Sequence, residues 1–211
     1  MELFFSPLAC SMASRITLYE VGGAATFVEV DPKTKRTLTG MDYLMINPLG
    51  LVPALRLDEG DVLLENAAIL QYIAEQYPNA SLAPSSGLAK ARLRQWLSFI
   101  GTELHKALFI PLFDKTLPEP VKSKTIEAGD KRLSYLDRHV STHAFLLDAF
   151  SIADAYLVTV LNWNIATPVD LKKWPSIDAY FSRMKSRPAV ARAMKEEFAL
   201  YAEEEKRHKT L

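Results

Sequence analysis

The chain has 211 residues, 49% of them hydrophobic, which is enough for one large domain or two small ones with a substantial core. Its 25 Lys and Arg residues equal its 25 Asp and Glu residues, so the net charge gives no field that would attract nucleic acid or an anionic membrane surface. One cysteine and four scattered histidines supply neither an internal disulfide nor a zinc-binding spacing, which makes the cytosol the default compartment.

The first residues predict a chain that is neither exported nor embedded in a membrane. A strand pattern begins almost at once, with no basic segment ahead of an apolar signal core. No apolar run approaches the roughly 20 residues of a membrane-spanning helix. We therefore expect a cytoplasmic protein whose partners include neither nucleic acid nor a membrane.

Cys10 stands where a strand pattern gives way to a helical one. Residues 3–5 form a short apolar run of strand formers, which Ser6 and Pro7 end, and a helical pattern resumes at Ser11. At a helix N-terminus the free N–H groups and the macrodipole favour negative charge, so a thiol there loses its proton more readily than a free cysteine. The placement alone leaves two alternatives, a reactive thiolate and a buried structural cysteine.

The segments that follow predict a βαβ unit and a hairpin. After the first helix, residues 26–30 form a second strand pattern, and residues 41–46 allow at most one helical turn. Strand patterns at residues 54–57 and 62–64 are separated by a turn short enough for an antiparallel hairpin. The next helical pattern is ended by Pro78. A thiol at the first helix of such a unit is a thioredoxin-like arrangement.

A run of turn-forming residues separates this part from an all-helical remainder. Residues 79–87 predict a linker, because they combine Pro, Asn, Ser and Gly. The sequence therefore predicts a thioredoxin-like domain at residues 1–78 and an all-α domain at residues 88–211.

The helical part opens with one long core helix, from residue 88 to a break at Pro111. Beside its apolar face runs a second stripe that is too polar for a core and could face the first domain. This stripe consists of Ser98, Thr102, His105 and Phe109.

Later helix starts are indicated by a capping box of Ser151 with Asp154 and by first-turn prolines. The charged tail at residues 203–209 is expected to be solvated. His139 and His143 are four residues apart, but without a third ligand nearby we interpret them as surface residues at a helix end. The first-turn prolines are Pro118 with Pro120, Pro175 and Pro188.

Several separate motifs, in the same order along the chain, resemble those of cytosolic glutathione S-transferases of the bacterial Beta class. The resemblance spans nearly the whole chain. It implies the two-domain architecture of that family, a homodimer, glutathione as co-substrate, a small hydrophobic electrophile and no metal. It rests on Cys10 with Ser11, NPLGLVPAL at residues 47–55, ENAAILQYIAE at 65–75, TELHK at 102–106 and FSIADAYL at 150–157.

The chemistry of glutathione fits particular residues of the first domain. Glu65 can pair with the ammonium of the γ-glutamyl end, and Asn66 opens a helix whose N–H groups can hold the carboxylate. Plain helix capping is a compatible alternative for this pair. A cis bond before Pro53 would turn the backbone of Val52 outward, so that it pairs with the cysteinyl part as an added strand would. Lys35 could reach the glycine carboxylate, although a solvated surface lysine is an equal alternative.

In the helical domain, the resemblance implies that His105 lies near the thiol and that Ser98, Thr102 and Lys106 contact glutathione. From the residues alone, a lone helical histidine is more often structural. Positive charge from His105 or Lys106 is expected to help Ser11 stabilise the Cys10 thiolate.

Three residues depart from the family pattern. Phe5 stands where relatives often have tyrosine, so no phenol is available there, and its role falls to Cys10 or Ser11. Ser98 stands where related sequences can carry an asparagine that contacts bound ligand. Leu147 replaces a glycine usually found before the FSIAD segment.

Two functions from different classes remain. The first is an enzyme that stabilises the glutathione thiolate for attack on electrophiles, or that exchanges disulfides through a Cys10 mixed disulfide. The resemblance implies both modes and weak turnover of conventional aromatic electrophiles. The second is a non-catalytic carrier or protein-interaction module with the same fold. The presence of Cys10, Glu65, Asn66 and His105 in one chain argues against it.

Overall fold

The computed structural model describes residues 1–209. They form two compact units, one combining residues 1–81 with the carboxyl-terminal segment from Pro188, the other containing residues 82–187. In chain order the strands and helices are β1 Glu2–Phe5, α1 Met12–Val21, β2 Thr26–Glu29, β3 Ala54–Arg56, β4 Val62–Leu64, α2 Asn66–Gln76, α3 Gly87–Phe99, a π-helix Ile100–Phe109, α4 Ile110–Phe113, α5 Glu119–Val140, α6 Ile152–Leu161, α7 Pro175–Lys185 and α8 Pro188–Lys209.

The first unit contains a four-stranded mixed sheet in the order β2-β1-β3-β4. β1 pairs in parallel with β2 and antiparallel with β3, and β3 and β4 form an antiparallel hairpin. The predicted thioredoxin-like unit is therefore confirmed. β2 ends at Glu29, one residue earlier than predicted. The Val30 N–H still donates to the Phe5 carbonyl at 2.8 Å, and Val30 also forms an isolated bridge with Thr37.

Successive side chains of β1 point to opposite faces of the sheet, and each face has an apolar core. Leu3 packs on one face with Leu18 of α1 and Ile69 of α2. Phe4 points to the other face, where it packs with Tyr43. Neighbouring residues of a strand point to opposite faces, so one short run of apolar residues serves both cores.

The charged tail predicted to be solvated is helical and packs along one side, so that prediction is only partly right. Glu203 and Lys206 are 60% and 72% exposed. α8 packs against α1, and Glu204 near its end is only 5% exposed. Arg207 forms an ion pair with Glu29, and Nε2 of His208 lies 2.8 Å from Oδ2 of Asp31. The charges have partners at the end of β2, which a reading of the tail by itself could not reveal.

The helices of the second unit begin close to where the sequence predicted. α5, α7 and α8 begin at Glu119, Pro175 and Pro188. The predicted break at Pro111 is wrong, because the chain stays helical through the π-helix and α4 to Phe113. Pro111 lies in the first turn of α4, directly after the π-helix.

The predicted capping box opens α6. Asp154 is fully buried and accepts hydrogen bonds from the backbone N–H groups of Ser151 and Leu146, both at 2.9 Å. The Tyr180 hydroxyl donates to it at 2.7 Å. Every residue of α6 is buried, as predicted for a central helix. None of the helices in the described part of the chain is long and apolar enough to cross a membrane.

Candidate functional site

Cys10 lies at the amino-terminal end of α1, as predicted. The turn before it is closed by hydrogen bonds from the N–H of Ala9 to the Ser6 carbonyl and from the N–H of Met12 to the Ala9 carbonyl, at 3.1 and 3.0 Å. The Cys10 side chain is partly exposed, and Sγ donates to the Val52 carbonyl oxygen at 3.3 Å. A hydrogen bond therefore connects Cys10 to Val52, the residue whose backbone is predicted to pair with the peptide.

Ser11 follows Cys10 but its side chain faces inward. It is the N-cap residue of α1, is fully buried, and donates from Oγ to the Ser6 carbonyl at 3.3 Å. To donate to a bound thiolate, the Ser11 hydroxyl would have to break its hydrogen bond with the Ser6 carbonyl.

The peptide bond between Val52 and Pro53 is cis, as predicted. Val52 is half-buried and Pro53 is buried. They stand directly before β3, whose first residue, Ala54, pairs with Phe4 of β1.

Glu65 and Asn66 stand at the start of α2. Glu65 is exposed and adopts φ 67° and ψ 115°, a conformation that costs a non-glycine residue about 1–3 kcal/mol. Its side chain makes no capping hydrogen bond, so plain capping does not explain it. Oδ1 of Asn66 accepts from the Ser14 hydroxyl at 2.9 Å, and its buried Nδ2 has no hydrogen-bond partner among the described residues.

Lys35 lies beside the segment that leads to Val52 and Pro53. Its Nζ donates to the Gly50 carbonyl at 3.0 Å, so the side chain lies along the NPLGLVPAL segment. A side chain on Gly50, at φ 62°, would come within 3.1 Å of the Lys35 stem.

Four residues that the sequence did not indicate as site residues hold this region in place. Tyr43 and Asn47 both donate to the Leu51 carbonyl, at 2.8 and 2.7 Å. The sequence offers only a weak signal for them, since Tyr43 lies in a short helical turn and Asn47 follows that turn.

The other two missed residues join α8 to the turn that carries Cys10. Oε2 of Glu197, a fully buried residue, accepts from the Leu8 N–H at 2.8 Å. Nε of Arg15 lies 3.0 Å from Oε1 of Glu197, within ion-pair distance but outside hydrogen-bond geometry. The Arg15 guanidinium stacks 4.2 Å from the ring centroid of Phe5.

His105 lies in the second compact unit and is 7% exposed. Its Nδ1 is 2.7 Å from the Tyr156 hydroxyl, and its ring centroid is 4.8 Å from that of Trp163. Burial, with a smaller effect of the Lys106 charge, lowers the pKa of His105 to about 4. The ring is therefore neutral at pH 7, so of the two residues expected to supply positive charge only Lys106 can do so.

The predicted polar stripe divides into two parts. Ser98 and Thr102 are exposed, and the Thr102 hydroxyl donates to the Ser98 carbonyl at 3.0 Å. Phe109 is fully buried, like His105. The i→i+5 pattern of the π-helix changes the angular spacing that an α-helix would have given. Lys106, next to His105, is exposed.

His139 and His143 stack on each other, with centroids 4.3 Å apart. His139 is half-buried rather than a surface residue, because it also packs 4.5 Å from the Trp96 ring and its Nε2 lies 3.1 Å from the Leu146 carbonyl. No group of three His, Cys, Asp or Glu residues in the described part of the chain could hold a metal ion.

Comparisons with known proteins agree over both parts of the chain. Residues 4–81 match the family model "Glutathione S-transferase, N-terminal domain", and residues 99–188 match "Glutathione S-transferase, C-terminal domain". The chain is 42% identical over 199 residues to the glutathione S-transferase GstA of Escherichia coli O157:H7, covering 93% of this chain and 98% of that protein.

Solved structures of glutathione S-transferases are also similar to this chain. A sphingomonad glutathione S-transferase complexed with glutathione has a TM-score of 0.89 and 42% identity, covering 93% of this chain and 98% of that one. A bacterial Beta-class glutathione S-transferase from Sphingomonas chungbukensis has a TM-score of 0.89 and 43% identity, with the same two coverages, 93% and 98%.

The lowered pKa of His105 predicts a specific pH dependence of stability. The unfolded histidine takes up a proton near pH 6.5, whereas the folded one does so only near pH 4. The contribution of neutral His105 is therefore complete above pH 6.5 and is lost as the pH falls toward 4, by up to about 3 kcal/mol. Urea unfolding of wild type and His105→Asn across this range should show a smaller loss in the variant. His143→Gln, at an exposed ring, is the control, and parallel curves for wild type and His105→Asn would contradict the assignment.

Proposed function

This chain belongs to the glutathione S-transferase family, and from that premise we propose how its residues hold glutathione and use Cys10. It is an enzyme that conjugates glutathione to electrophiles, with glutathione as co-substrate, and it is similar to the bacterial Beta class. We propose that residues 1–78 bind glutathione, that residues 79–87 are a linker, and that the helical domain predicted at residues 88–211 contributes the electrophile site. Its last segment, from Pro188, packs with the first compact unit, so we assign the electrophile site to the helices before it.

The γ-glutamyl end of glutathione binds at the start of α2. Glu65 pairs with its ammonium, and the backbone N–H and side chain of Asn66, at the positive end of the helix, hold its carboxylate. The exposed Glu65 carboxylate in a strained backbone conformation supports this assignment, because such strain clusters where ligands are held.

The cysteinyl part of glutathione pairs with the Val52 backbone beside Pro53, as an added strand would. The observation that carries the proposal is the 3.3 Å hydrogen bond from the Cys10 thiol to the Val52 carbonyl. A peptide paired with Val52 places its own sulfur beside Cys10. Lys35 pairs with the glycine carboxylate.

Cys10 acts in two modes. In conjugation, hydrogen bonds from Cys10, Ser11 and backbone N–H groups stabilise the glutathione thiolate, so that more nucleophile is present at neutral pH. In exchange, the Cys10 thiolate attacks one sulfur of oxidised glutathione, forms a mixed disulfide and releases one glutathione thiolate. A second thiol then attacks the glutathione sulfur of the mixed disulfide, forms a disulfide with it and releases the Cys10 thiolate.

Four residues of the long helical segment are also proposed to take part in glutathione binding or catalysis. Ser98, Thr102 and Lys106 are exposed and supply polar groups and one positive charge for glutathione. His105 is a catalytic residue that acts as a neutral hydrogen-bonding group, in keeping with its pKa of about 4. The electrophile is a small hydrophobic molecule.

The enzyme works in the cytoplasm as a homodimer. A reactive thiol and a pool of reduced glutathione both persist in a reducing compartment. Met45 and Leu49 in the first unit are 82% and 70% exposed, and neighbouring exposed apolar side chains are typical of a surface that contacts another chain.

Glu65→Ala should weaken glutathione binding by about 2 kcal/mol or more, since the ammonium of glutathione loses its partner. Calorimetry with reduced glutathione measures the change. Glu59→Ala removes an equally exposed carboxylate from the β3–β4 turn and should leave the affinity unchanged. Equal affinities of Glu65→Ala and wild type would remove Glu65 from the site.

The Cys10 thiolate should persist to a pH clearly below that of a free cysteine, because it lies at a helix start. Alkylation by iodoacetamide, followed by mass across a pH series, measures this, and bound glutathione should slow it. Cys10→Ala should depress disulfide exchange strongly and conjugation less, since other donors remain. An inflection at the free-cysteine value without protection by glutathione would show an inert thiol.

Sedimentation at micromolar concentration should show a dimer. Met45→Asp should raise the dissociation constant, because it places a charge on the apolar surface. Ile165→Asp makes the same change at a 59% exposed residue of the second unit and should have no such effect. A monomeric wild type would refute the homodimer.

A further inference from the structure

Two buried donors hold the Leu51 carbonyl. The Tyr43 hydroxyl donates to this oxygen at 2.8 Å, and Nδ2 of Asn47 donates to it at 2.7 Å. Tyr43 is 0% exposed and Asn47 is 3% exposed. The carbonyl therefore points into the protein, although the Leu51 side chain is half-exposed.

The orientation of this carbonyl fixes the neighbouring N–H. The Leu51 C=O and the Val52 N–H belong to one peptide group, which is trans. In a trans peptide the C=O and the N–H point in opposite directions. The Val52 N–H is thus directed away from Tyr43 and Asn47. Two hydrogen bonds to the oxygen also polarise the peptide and strengthen its N–H as a donor.

We propose that Tyr43 and Asn47 are positioning residues for glutathione, which hold the Leu51 carbonyl so that the Val52 N–H meets the cysteinyl carbonyl of the bound peptide. This inference rests on the proposed pairing of glutathione with the Val52 backbone. A donor fixed before binding loses little freedom when the ligand arrives, so the two side chains increase affinity without touching the ligand.

Both donors are themselves held in place. The Tyr43 ring packs 5.6 Å from the Phe4 ring, and burial raises the pKa of its hydroxyl, which keeps the proton needed for donation. Asn47 is fixed by hydrogen bonds from its own N–H to the Tyr43 carbonyl at 2.9 Å and from the Leu49 N–H to its Oδ1 at 3.1 Å. Tyr43→Phe therefore removes one donor and keeps the packed ring.

A merely structural role for the same hydrogen bonds predicts a different result. Loss of turn stability alone would lower the unfolding midpoint and leave the affinity of the folded protein for glutathione unchanged. A positioning role changes the affinity and the behaviour of one amide proton, that of Val52.

The experiment compares wild type, Tyr43→Phe and Asn47→Ala, with Tyr72→Phe as the matched control on the partly buried face of α2. Calorimetry with reduced glutathione gives the dissociation constants, and amide NMR follows Val52 in the same proteins. Tyr43→Phe should raise the dissociation constant about 3- to 10-fold, the usual effect of one lost hydrogen bond. Asn47→Ala should raise it at least as much, and Tyr72→Phe should not change it.

The NMR arm separates this inference from the glutathione site as a whole. In wild type, glutathione should shift the Val52 amide resonance, and in Tyr43→Phe that amide should exchange faster before ligand is added. If Glu65→Ala weakens binding while Tyr43→Phe and Asn47→Ala bind as wild type does, the positioning role is overturned and the site stands. If glutathione binds without shifting the Val52 amide, the pairing with Val52 fails and this inference fails with it.

Discussion

The antiparallel pairing of β1 with β3 is the constraint on which the candidate site depends. Phe4 lies opposite Ala54, so the chain leaving β1 and the chain entering β3 meet at one edge of the sheet. Cys10 follows β1 and Val52 precedes β3, and their hydrogen bond joins residues 42 positions apart in the sequence. The apolar residues of β1, which pack on both faces of the sheet, hold this edge in place.

A second set of contacts fixes the turn that carries the thiol. The Glu197 carboxylate of α8 accepts from the Leu8 N–H, and Leu8 has a positive φ of 58°. Arg15 lies against Glu197 and between the rings of Phe5 and Phe27, 4.2 and 4.1 Å from their centroids. Burial raises the pKa of Glu197 to about 8, so its contact with Arg15 adds little net electrostatic stability at neutral pH. The consequence of Glu197 is geometric, since its hydrogen bond with the Leu8 N–H ties the backbone two residues before Cys10 to a helix from the far end of the chain.

Much of the fold and part of the site could be predicted from local patterns. The strands, the placement of Cys10 at a helix start, and the helix that begins after Glu65 follow from apolar spacing and from breakers. The capping box of Ser151 and Asp154 follows in the same way. These features depend on neighbours in the sequence, and local patterns record such neighbours well.

The rest depends on contacts between distant segments. The role of Tyr43 on the Leu51 carbonyl and that of Glu197 on the Leu8 N–H become visible only when the chain is folded. The same is true of the partners of Arg207 and His208. Glu29 and Asp31 are distant in the sequence, so the charged tail was predicted to be solvated. The neutrality of His105 follows from burial against Tyr156 and Trp163, a property that no spacing along one helix records.

The proposed function requires that glutathione reaches the Cys10 thiol and that this thiol is reactive. Intact mass after incubation of the whole protein with oxidised glutathione tests both requirements together. Wild type should gain the mass of one glutathione per chain, a reducing thiol should remove it, and Cys10→Ala should show no increase. An unchanged wild-type mass, or the same adduct in Cys10→Ala, would contradict the proposed role of Cys10.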